Sequence, residues 1–244
     1  MKGVVLAGGL GTRLRPLTNI TNKHLLPVYD RPMIYYPIQA LVNAGIREVM
    51  VVTGGSSAGD FFRLLRNGRD FGLDHLHYGY QEGEGGIADA LRLTRSFAGD
   101  DRICVMLGDN IIERSIAPVA RQFEQQPEGA RVVLARSKHP ENYGVAEFDG
   151  RRLVRIVEKP KKPKGDWIVT GIYFYDSTVY DVIATLKPSG RGELEITDVN
   201  NAYIKAGTLQ YSRLKGWWAD CGEDLDALLA AGNLVAKTGA NKAE

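Results

Sequence analysis

A glycine-rich segment near the N-terminus carries the clearest chemistry in this chain. Residues 4–6 are a short apolar Val-Val-Leu run, which leads directly into a loop with Gly8, Gly9, Gly11 and Arg13. Glycines allow positive φ angles, so that several backbone N–H groups can approach one anion. The guanidinium fork of arginine also matches phosphate oxygens. A buried strand followed by this loop therefore predicts a cradle for a polyphosphate.

The alternative is that these glycines form only a turn after an N-terminal strand. The pattern by itself leaves that open, but its spacing disfavours two other phosphate-binding motifs. A P-loop ends in Gly-Lys-Ser/Thr, and no such tripeptide follows here. A dinucleotide fingerprint, G-x-G-x-x-G, needs a third glycine where this chain has Leu14. A nicotinamide oxidoreductase is therefore not expected.

Two polar side chains follow other strand-like runs. Asp109 comes directly after the apolar run 103–107, where a carboxylate could hold Mg²⁺ against a bound triphosphate. Its alternative role is to cap a loop or helix. Gln81 follows the run 76–80 and offers an acceptor and two donors, which suits the edge of a nucleotide base. Its alternative is a loop glutamine that is only solvated.

The second half of the chain offers groups that suit a sugar phosphate. Glu158 could accept hydrogen bonds from two sugar hydroxyls, while Lys159 and Arg191 could neutralise a phosphomonoester. A Glu-Lys-Pro tripeptide alone is weak evidence, because surface Glu–Lys pairs are common.

The elements that must position these residues alternate in the first half. Strand patterns cover residues 4–6, 48–53, 76–81 and 103–107, and helix patterns cover 32–44, 58–66 and 87–97. This order predicts βαβ units and a mostly parallel sheet, with ligands beyond the carboxyl ends of its strands. In the second half, strand-like runs with few helices between them predict antiparallel additions that form a sugar pocket, at residues 132–136, 144–149, 153–157 and 168–175. A last helix is predicted from 224 to 236, with frayed residues from 238.

Composition bounds the remaining possibilities. The 244 residues are 44% hydrophobic, which is enough for a sizeable core. A net charge of +2 is too balanced for a nucleic-acid-binding protein. Cys104 and Cys221 are too few and too far apart for a disulfide framework, and Cys104 is expected to be buried. The N-terminus has no signal-peptide pattern and no apolar run reaches 18 residues, so a cytoplasmic protein without a membrane partner is expected.

Motifs in chain order resemble the sugar-phosphate nucleotidylyltransferase family. They are LAGG-x-GTRL-x-PLT at 6–18, NKHLLPV at 22–28, YGV at 143–145, EKP at 158–160, VTG at 169–171, RGELEITD at 191–198 and WWADCG at 217–222. The resemblance runs from Lys2 to about Val235. It stops short of the C-terminal helical extension of longer members, so their allosteric site is not assumed.

The resemblance implies a Rossmann-like three-layer αβα fold, with a mixed, mostly parallel central sheet and a small antiparallel sugar-binding part. One nucleotidyltransferase domain would span residues 1–236, followed by a tail at 237–244. Within it, a nucleotide-binding half would reach about residue 130 and a sugar-phosphate-binding half would cover about 131–236.

The implied reaction is Mg²⁺-dependent transfer of a thymidylyl group from dTTP to α-D-glucose 1-phosphate, which gives dTDP-glucose and pyrophosphate and begins deoxysugar synthesis. UTP or another hexose 1-phosphate is an alternative. So is a non-catalytic nucleotide-sensing module, although such a module would be expected to lose Arg13, Lys23 or one of the aspartates. A homodimer or homotetramer is also expected, with Trp217, Trp218, Tyr35 and Tyr36 as aromatic interface anchors.

The resemblance also implies roles for individual residues. Catalysis would involve Arg13, Lys23 and Lys159. The nucleotide would be bound by Leu6, Gly8, Gly9, Gly11, Thr12, Arg13, Gln81, Gly86 and Asp109. The sugar phosphate would be bound by Tyr143, Gly144, Glu158, Lys159, Val169 and Arg191, and Mg²⁺ by Asp109 and Asp220. Two positions depart from the family pattern, namely Asp89, where close members usually have glutamine, and Glu223, where they usually have threonine.

Overall fold

The computed structural model describes residues 1–243, and within them a nine-stranded mixed sheet is the central element. The strands of the molecule are β1 (Lys2–Ala7), β2 (Pro27–Val28), β3 (Arg31–Pro32), β4 (Glu48–Gly54), β5 (His75–Gln81), β6 (Ile103–Leu107), β7 (Asn110–Ile112), β8 (Ala130–Arg136), β9 (Gly144–Asp149), β10 (Arg152–Glu158), β11 (Trp167–Tyr175), β12 (Leu209–Arg213) and β13 (Trp218–Asp220). The helices are α1 (Tyr35–Asn43), α2 (Ala58–Leu65), α3 (Ile87–Arg92), α4 (Arg95–Ala98), α5 (Ala117–Glu124), α6 (Val179–Ala184), α7 (Ile196–Ala206) and α8 (Leu225–Thr238).

The sheet joins a parallel part to an antiparallel part. Strands β6, β1, β4 and β5 are parallel neighbours in that order. Strand β11 runs antiparallel beside β6 and also pairs with β8 and β9, while β9 and β10 form a hairpin. Strand β12 is parallel to β8. The predicted fold class, a mixed sheet with a parallel nucleotide-binding part, is confirmed.

Alternate residues of β1 build the cores on the two faces of the sheet. Val4 and Leu6 pack on one face, against residues of α3, α6 and α7. Val5 and Ala7 pack on the other, against residues of α1, α2 and α5. Because both faces are covered, the strand must be apolar where it is buried, and it is apolar from Gly3 to Ala7. The three-layer αβα arrangement therefore follows from the side-chain period of the strand.

The observed helices and the C-terminus differ from the prediction in three places. The single helix predicted over 87–97 is two helices, α3 and α4, separated where the buried Thr94 hydroxyl donates a 2.8 Å hydrogen bond to the Leu91 carbonyl. The strand-like runs of the second half have no α-helix between them, as expected, but two helices that were not predicted, α6 and α7, follow the last run and cover the sheet. Helix α6 has only six residues and α7 contains several polar residues, so neither shows a clear hydrophobic period in the sequence.

The predicted frayed C-terminus is also wrong over the described residues. Helix α8 continues to Thr238. Beyond it, the Asn241 N–H donates to the Ile112 carbonyl and the Lys242 N–H to the Glu113 carbonyl, at 2.9 and 2.8 Å. The end of the chain therefore adds to the edge of β7 and its following loop, while Glu244 lies outside the described residues. None of the described helices is long and apolar enough to cross a membrane.

Candidate active site

The glycine-rich loop leaves the carboxyl end of β1, as predicted. Gly9 and Gly11 have φ angles of 88° and 61°, which side-chain-bearing residues rarely adopt. Gly11 also lies against the next segment, because a Cβ placed there would be 3.0 Å from carbons of Lys23 and Thr18. The Thr18 hydroxyl donates a 2.7 Å hydrogen bond to the Gly11 carbonyl. The loop is therefore folded back on residues 18–23 and held beside Lys23.

Lys23 forms a buried ion pair with Asp109. Lysine Nζ and carboxylate Oδ2 are 2.5 Å apart, and the two side chains are only 13% and 11% exposed. Burial alone would lower the pKa of Lys23, but the Asp109 carboxylate outweighs it and raises that pKa. Burial would likewise raise the pKa of Asp109, but Lys23 lowers it well below its usual range. Both groups are therefore charged at neutral pH.

The neighbouring His24 is a structural residue. Its ring is buried, and Nδ1 lies 2.7 Å from the Asn22 side-chain oxygen, which also accepts the His24 backbone N–H. Burial, reinforced by the Lys23 charge, lowers the pKa of His24 to about 3. The imidazole is therefore neutral and fixes the turn that carries Lys23.

Asp220 comes to Asp109 by strand pairing. Strands β7 and β13 are antiparallel, with Asp220 opposite Asn110, and the Cys221 N–H donates to the Asp109 carbonyl at 2.9 Å. Gly222 is required here, since a Cβ would lie 2.5 Å from Asp109 Oδ2. Burial and the Asp109 charge raise the pKa of Asp220 to about 7. Two residues that are 111 positions apart in sequence thus form one acidic pair.

This acidic pair fits a hard divalent cation. Within residues 1–243 no cluster of three or more His, Cys, Asp or Glu side chains forms a ready metal cage. Mg²⁺ needs no such cage, because one or two carboxylates together with substrate phosphates usually hold it. Burial first and the Asp109 charge second raise the pKa of Asp220, and a cation bound by both carboxylates would relieve their repulsion.

Gln81 stands at the carboxyl end of β5, beside the glycine-rich loop. It is 6% exposed. Its amide nitrogen donates to the Gly86 carbonyl and to the Asp89 carboxylate, at 3.2 and 2.9 Å. Its amide oxygen faces Gly8, where an added Cβ would approach it to 2.9 Å. The predicted base-reading residue is thus fixed in place by its neighbours.

The second half supplies the opposite wall through three strands and a loop. Arg191 directs Nε and Nη2 at the two oxygens of Glu195, at 3.1 and 2.7 Å, and its Nη2 is 3.5 Å from Glu158 Oε1. The Thr197 hydroxyl donates to the other Glu158 oxygen at 2.5 Å. Lys159 has a left-handed φ of 41°, and its N–H donates to the Tyr143 carbonyl at 3.0 Å.

A single cavity of about 370 Å³ connects the two sets of groups. Fifteen predicted site residues line it: Leu6, Gly8, Gly9, Arg13, Lys23, Gln81, Gly86, Asp109, Tyr143, Gly144, Glu158, Lys159, Val169, Arg191 and Asp220. Gly11 and Thr12 are not among the residues that line it, and they shape the loop instead.

Sequence reasoning did not foresee the role of Trp218 and Glu223 in the cavity wall. The Trp218 indole donates to the Asn110 side-chain oxygen at 2.7 Å and meets the Tyr143 ring edge-to-face at 5.3 Å. Glu223 accepts from the Tyr143 hydroxyl at 2.6 Å and from the Asn142 amide at 2.5 Å. Glu223 thus ties the metal-side loop to the sugar-side loop. Its departure from the family threonine was the available signal.

The expected aromatic anchors are not all available for an interface. Tyr36 is buried, and its hydroxyl donates to the Val28 carbonyl at 2.6 Å. Trp218 faces the cavity, and Tyr35 packs against Phe71 with ring centroids 4.8 Å apart. The Trp217 indole donates to the Thr238 hydroxyl at 2.8 Å. These aromatic side chains are engaged within the molecule.

Comparison with known proteins gives a consistent picture. The family model described as nucleotidyl transferase matches residues 2–238. A glucose-1-phosphate thymidylyltransferase from Neisseria meningitidis is 46% identical over 226 residues, which cover 91% of this chain and 78% of that protein. One from Mycolicibacterium smegmatis is 44% identical over 239 residues, covering 96% and 82%.

Solved structures agree with the sequence relatives. A Bacillus anthracis protein assigned as a glucose-1-phosphate thymidylyltransferase, crystallised with sucrose, superposes with a TM-score of 0.94 at 46% identity over the whole of both chains. An apo UDP-glucose pyrophosphorylase gives a TM-score of 0.85 over 97% of this chain and 98% of that chain. Since that protein is only 22% identical, it supports the fold alone.

Proposed function

The chain belongs to the nucleotidyl transferase family, and we propose that it transfers a thymidylyl group from dTTP to α-D-glucose 1-phosphate, with release of pyrophosphate. Relatives that carry this activity in their names align over more than nine-tenths of the chain. The observation that carries the proposal is the shared cavity, which brings Arg13, Lys23 and Asp109 of the first half to Lys159 and Arg191 of the second.

The reaction joins two anions, so alignment and charge neutralisation are the main tasks of the protein. A phosphate oxygen of the sugar phosphate forms a bond to the α-phosphorus of dTTP while the bond to pyrophosphate breaks. We assign Arg13 to the negative charge that grows on the leaving pyrophosphate. Lys23, held as an ammonium by Asp109, is assigned to bridge the phosphate groups.

The family generally depends on a divalent metal, and we propose that Asp109 and Asp220 hold Mg²⁺ in this chain. When bound, Mg²⁺ would neutralise negative charge on the triphosphate. The contribution of the protein is the buried acidic pair itself, kept in register by the pairing of β7 with β13. The Asn110 amide, which donates to Asp109 Oδ1 at 3.0 Å, orients one of the two carboxylates.

On the other side of the cavity, Lys159 and Arg191 would hold the attacking phosphate. Glu158, with Tyr143, Gly144 and Val169 around it in the cavity wall, would accept hydroxyl hydrogens of the hexose. Arg191 already carries two carboxylate hydrogen bonds. These bonds use only Nε and Nη2, so Nη1 of Arg191 keeps N–H donors for a phosphate.

The protein supplies no nucleophile in this scheme. Lys23 is an ammonium because its pKa is raised, and an ammonium has no free electron pair to attack phosphorus. His24 is neutral, but its Nδ1 is engaged with Asn22. Direct displacement of pyrophosphate by the sugar phosphate is consistent with these two observations.

The proposal is tested by incubating the protein with dTTP, glucose 1-phosphate and Mg²⁺ and identifying both products. We expect dTDP-glucose by mass spectrometry and an equal amount of pyrophosphate, with no reaction when EDTA replaces Mg²⁺. Release of pyrophosphate without a nucleotide sugar, or no release at all, would overturn the assignment.

We also propose which base the nucleotide substrate carries. Thymine and uracil present the same hydrogen-bonding edge, so their distinction rests on the C5 methyl and on room for the 2′-hydroxyl. A methyl contact is worth only about 10-fold to 200-fold. We therefore expect dTTP to be the best substrate, UTP a usable second, and ATP and GTP poor. Rates of pyrophosphate release with the four nucleotides check this, and efficient use of a purine nucleotide would contradict it.

We also propose that the protein is a homodimer or homotetramer. Support comes from exposed apolar side chains near α8, namely Tyr29, Leu225 and Leu229, which a monomer would leave in water. Light scattering at micromolar concentration tests this, and a monomeric mass would reject it.

A further inference from the structure

Gln81 is held by two groups that can only accept hydrogen bonds. One is the Gly86 carbonyl and the other is the Asp89 carboxylate, 3.2 and 2.9 Å from the amide nitrogen. A side-chain amide offers NH₂ on one side and oxygen on the other. Turning it over would place its oxygen against two acceptors. The orientation is therefore dictated by the surrounding groups and not only by the assignment of atoms.

Asp89 stays ionised and in place. Burial alone would raise its pKa, but hydrogen bonds from Gln81 and Arg92 outweigh that effect and lower it. Arg92 donates to Oδ1 at 2.7 Å, which leaves Oδ2 for Gln81. The backbone beside it is closely fitted, since a Cβ at Gly85 would lie 2.5 Å from Oδ2. Asp89 is therefore a fixed acceptor at neutral pH.

Gln81 and Gly86 therefore present a defined pair of polar groups to the cavity. Both amide hydrogens of Gln81 are engaged, so Gln81 can offer the cavity only its oxygen. Within residues 1–243, this oxygen accepts no hydrogen bond and the Gly86 N–H donates none. Gln81 and Gly86 both line the cavity, on the same side as the glycine-rich loop. An acceptor and a donor are thus left for a ligand.

We propose that Asp89 is a positioning residue that sets base specificity, because it locks the Gln81 amide with its oxygen toward the base. This inference rests on the proposed function. It goes beyond it by assigning the selection against cytosine to a residue that does not touch the base. Thymine and uracil offer an N3–H donor beside the C4 carbonyl acceptor, which complements the Gln81 oxygen and the Gly86 N–H. Cytosine offers the reverse order, an N3 acceptor beside an amino donor.

Selection against cytosine follows from the free-energy cost of placing two acceptors, or two donors, opposite each other. With cytosine in the same position, two acceptors and two donors would face each other, and buried polar groups would lose their partners. Without Asp89, only the Gly86 carbonyl would oppose turning the amide over, and a turned amide could donate to cytosine N3. The residue therefore acts by removing one of the two orientations of Gln81.

The test compares dTTP with dCTP in Asp89→Ala, which removes the acceptor that holds the Gln81 amide, and in the wild-type protein. The kcat/KM ratio of dTTP to dCTP should fall by about 10-fold to 100-fold in the variant, since one hydrogen-bond mismatch is worth roughly this much. The KM for glucose 1-phosphate should stay within about twofold. Equilibrium binding of the two nucleotides, measured by calorimetry without sugar phosphate, should show the same loss of selectivity.

Arg92→Gln is the matched control, because it removes the ion pair while leaving the carboxylate that faces Gln81. It should keep the wild-type ratio within about threefold. If Asp89→Ala does not fold, as judged by circular dichroism, Asp89→Leu, which has a similar volume and no acceptor, takes its place with the same expected result. An unchanged ratio in the folded variant would overturn the inference.

The experiments distinguish a wrong reaction from a wrong role for Asp89. If the wild-type protein does not convert dTTP and glucose 1-phosphate to dTDP-glucose, the proposed function is wrong and the inference falls with it. If the wild-type protein does so and Asp89→Ala discriminates against dCTP equally well, only the role of Asp89 is wrong.

Discussion

The two walls of the cavity differ in how their charged groups are held. On the nucleotide side, Lys23 and Asp109 are 13% and 11% exposed and form an ion pair, with Lys23 in a 3-10 turn and Asp109 just beyond the end of β6. On the sugar side, the Arg191 side chain is 42% exposed and contacts three glutamates within its own half, at 158, 193 and 195. One wall has its charges fixed by burial, and the other has charges whose partners can be exchanged.

Because the charges are held differently, we expect substitutions on the two walls to have different effects. Removing one partner of a buried ion pair leaves an uncompensated charge and costs about 3–5 kcal/mol. An exposed pair is worth about 0–1 kcal/mol. Changes on the nucleotide side should therefore affect the chemical step and stability together, whereas changes on the sugar side should mainly affect substrate binding.

The largest expected effect is on the acidic pair. Asp109→Asn or Asp220→Asn should lower kcat by at least about 100-fold, because each removes a strong electrostatic element from the reacting groups. Steady-state rates at saturating Mg²⁺ measure this, with Asp149→Asn on the exposed β9–β10 turn as the control. Near-normal turnover in both variants would remove the metal assignment.

Arg13→Ala should reduce kcat by about 10-fold to 100-fold with little change in the KM for glucose 1-phosphate. The reason is that the charge which Arg13 meets grows in the transition state. Full substrate titrations separate the two constants. A change confined to the KM for glucose 1-phosphate would show that Arg13 acts on the sugar phosphate and not on the leaving pyrophosphate.

Arg191→Gln should act in the opposite manner. Loss of a charged hydrogen-bond donor is worth about 1.5–3 kcal/mol, so the KM for glucose 1-phosphate should rise by about 10-fold to 100-fold. The KM for dTTP should stay within about twofold. The comparison between the walls fails if the two constants rise together.

The smallest expected effect is a pH-dependent change in stability at Asp220. Its folded-state pKa, about 7, lies above the unfolded value near 4, so its contribution to stability is lost as pH rises through 7. In EDTA, Asp220→Asn should therefore raise the Tm at pH 8 by about 2–4 °C for each kcal/mol recovered, and less at pH 5.5. A lower Tm at pH 8 than the wild type would show that the acidic pair is not strained without metal.

The nucleotide side could be predicted from sequence because its signals are local. The loop 8–13 follows β1 directly, and Asp109 follows β6, so strand order alone brings them to one edge of the sheet. Resemblance to known motifs identified the sugar-side residues that line the cavity. Neither approach anticipated that Arg191 would be paired with Glu195 in this structure.

The rest depends on contacts between distant segments. The family resemblance placed Asp220 beside Asp109, but the residues alone did not, because the two are joined by the pairing of three-residue strands that are too short to show a hydrophobic period. Glu223 and Asp89 looked like departures from a family pattern, and only the structure places their partners, Tyr143 and Gln81. The packed C-terminus was missed because its hydrogen bonds are made by the backbone, which sequence composition does not report.

In the proposed reaction, each wall binds one anionic substrate and pyrophosphate is displaced directly, without a covalent intermediate on the protein. The most direct test uses one diastereomer of dTTP that carries sulfur on the α-phosphorus, with the configuration of the thio-substituted product determined by ³¹P NMR. A single in-line displacement predicts inversion at the α-phosphorus. Retention would mean two successive displacements through a nucleotidylated protein, and would contradict the account.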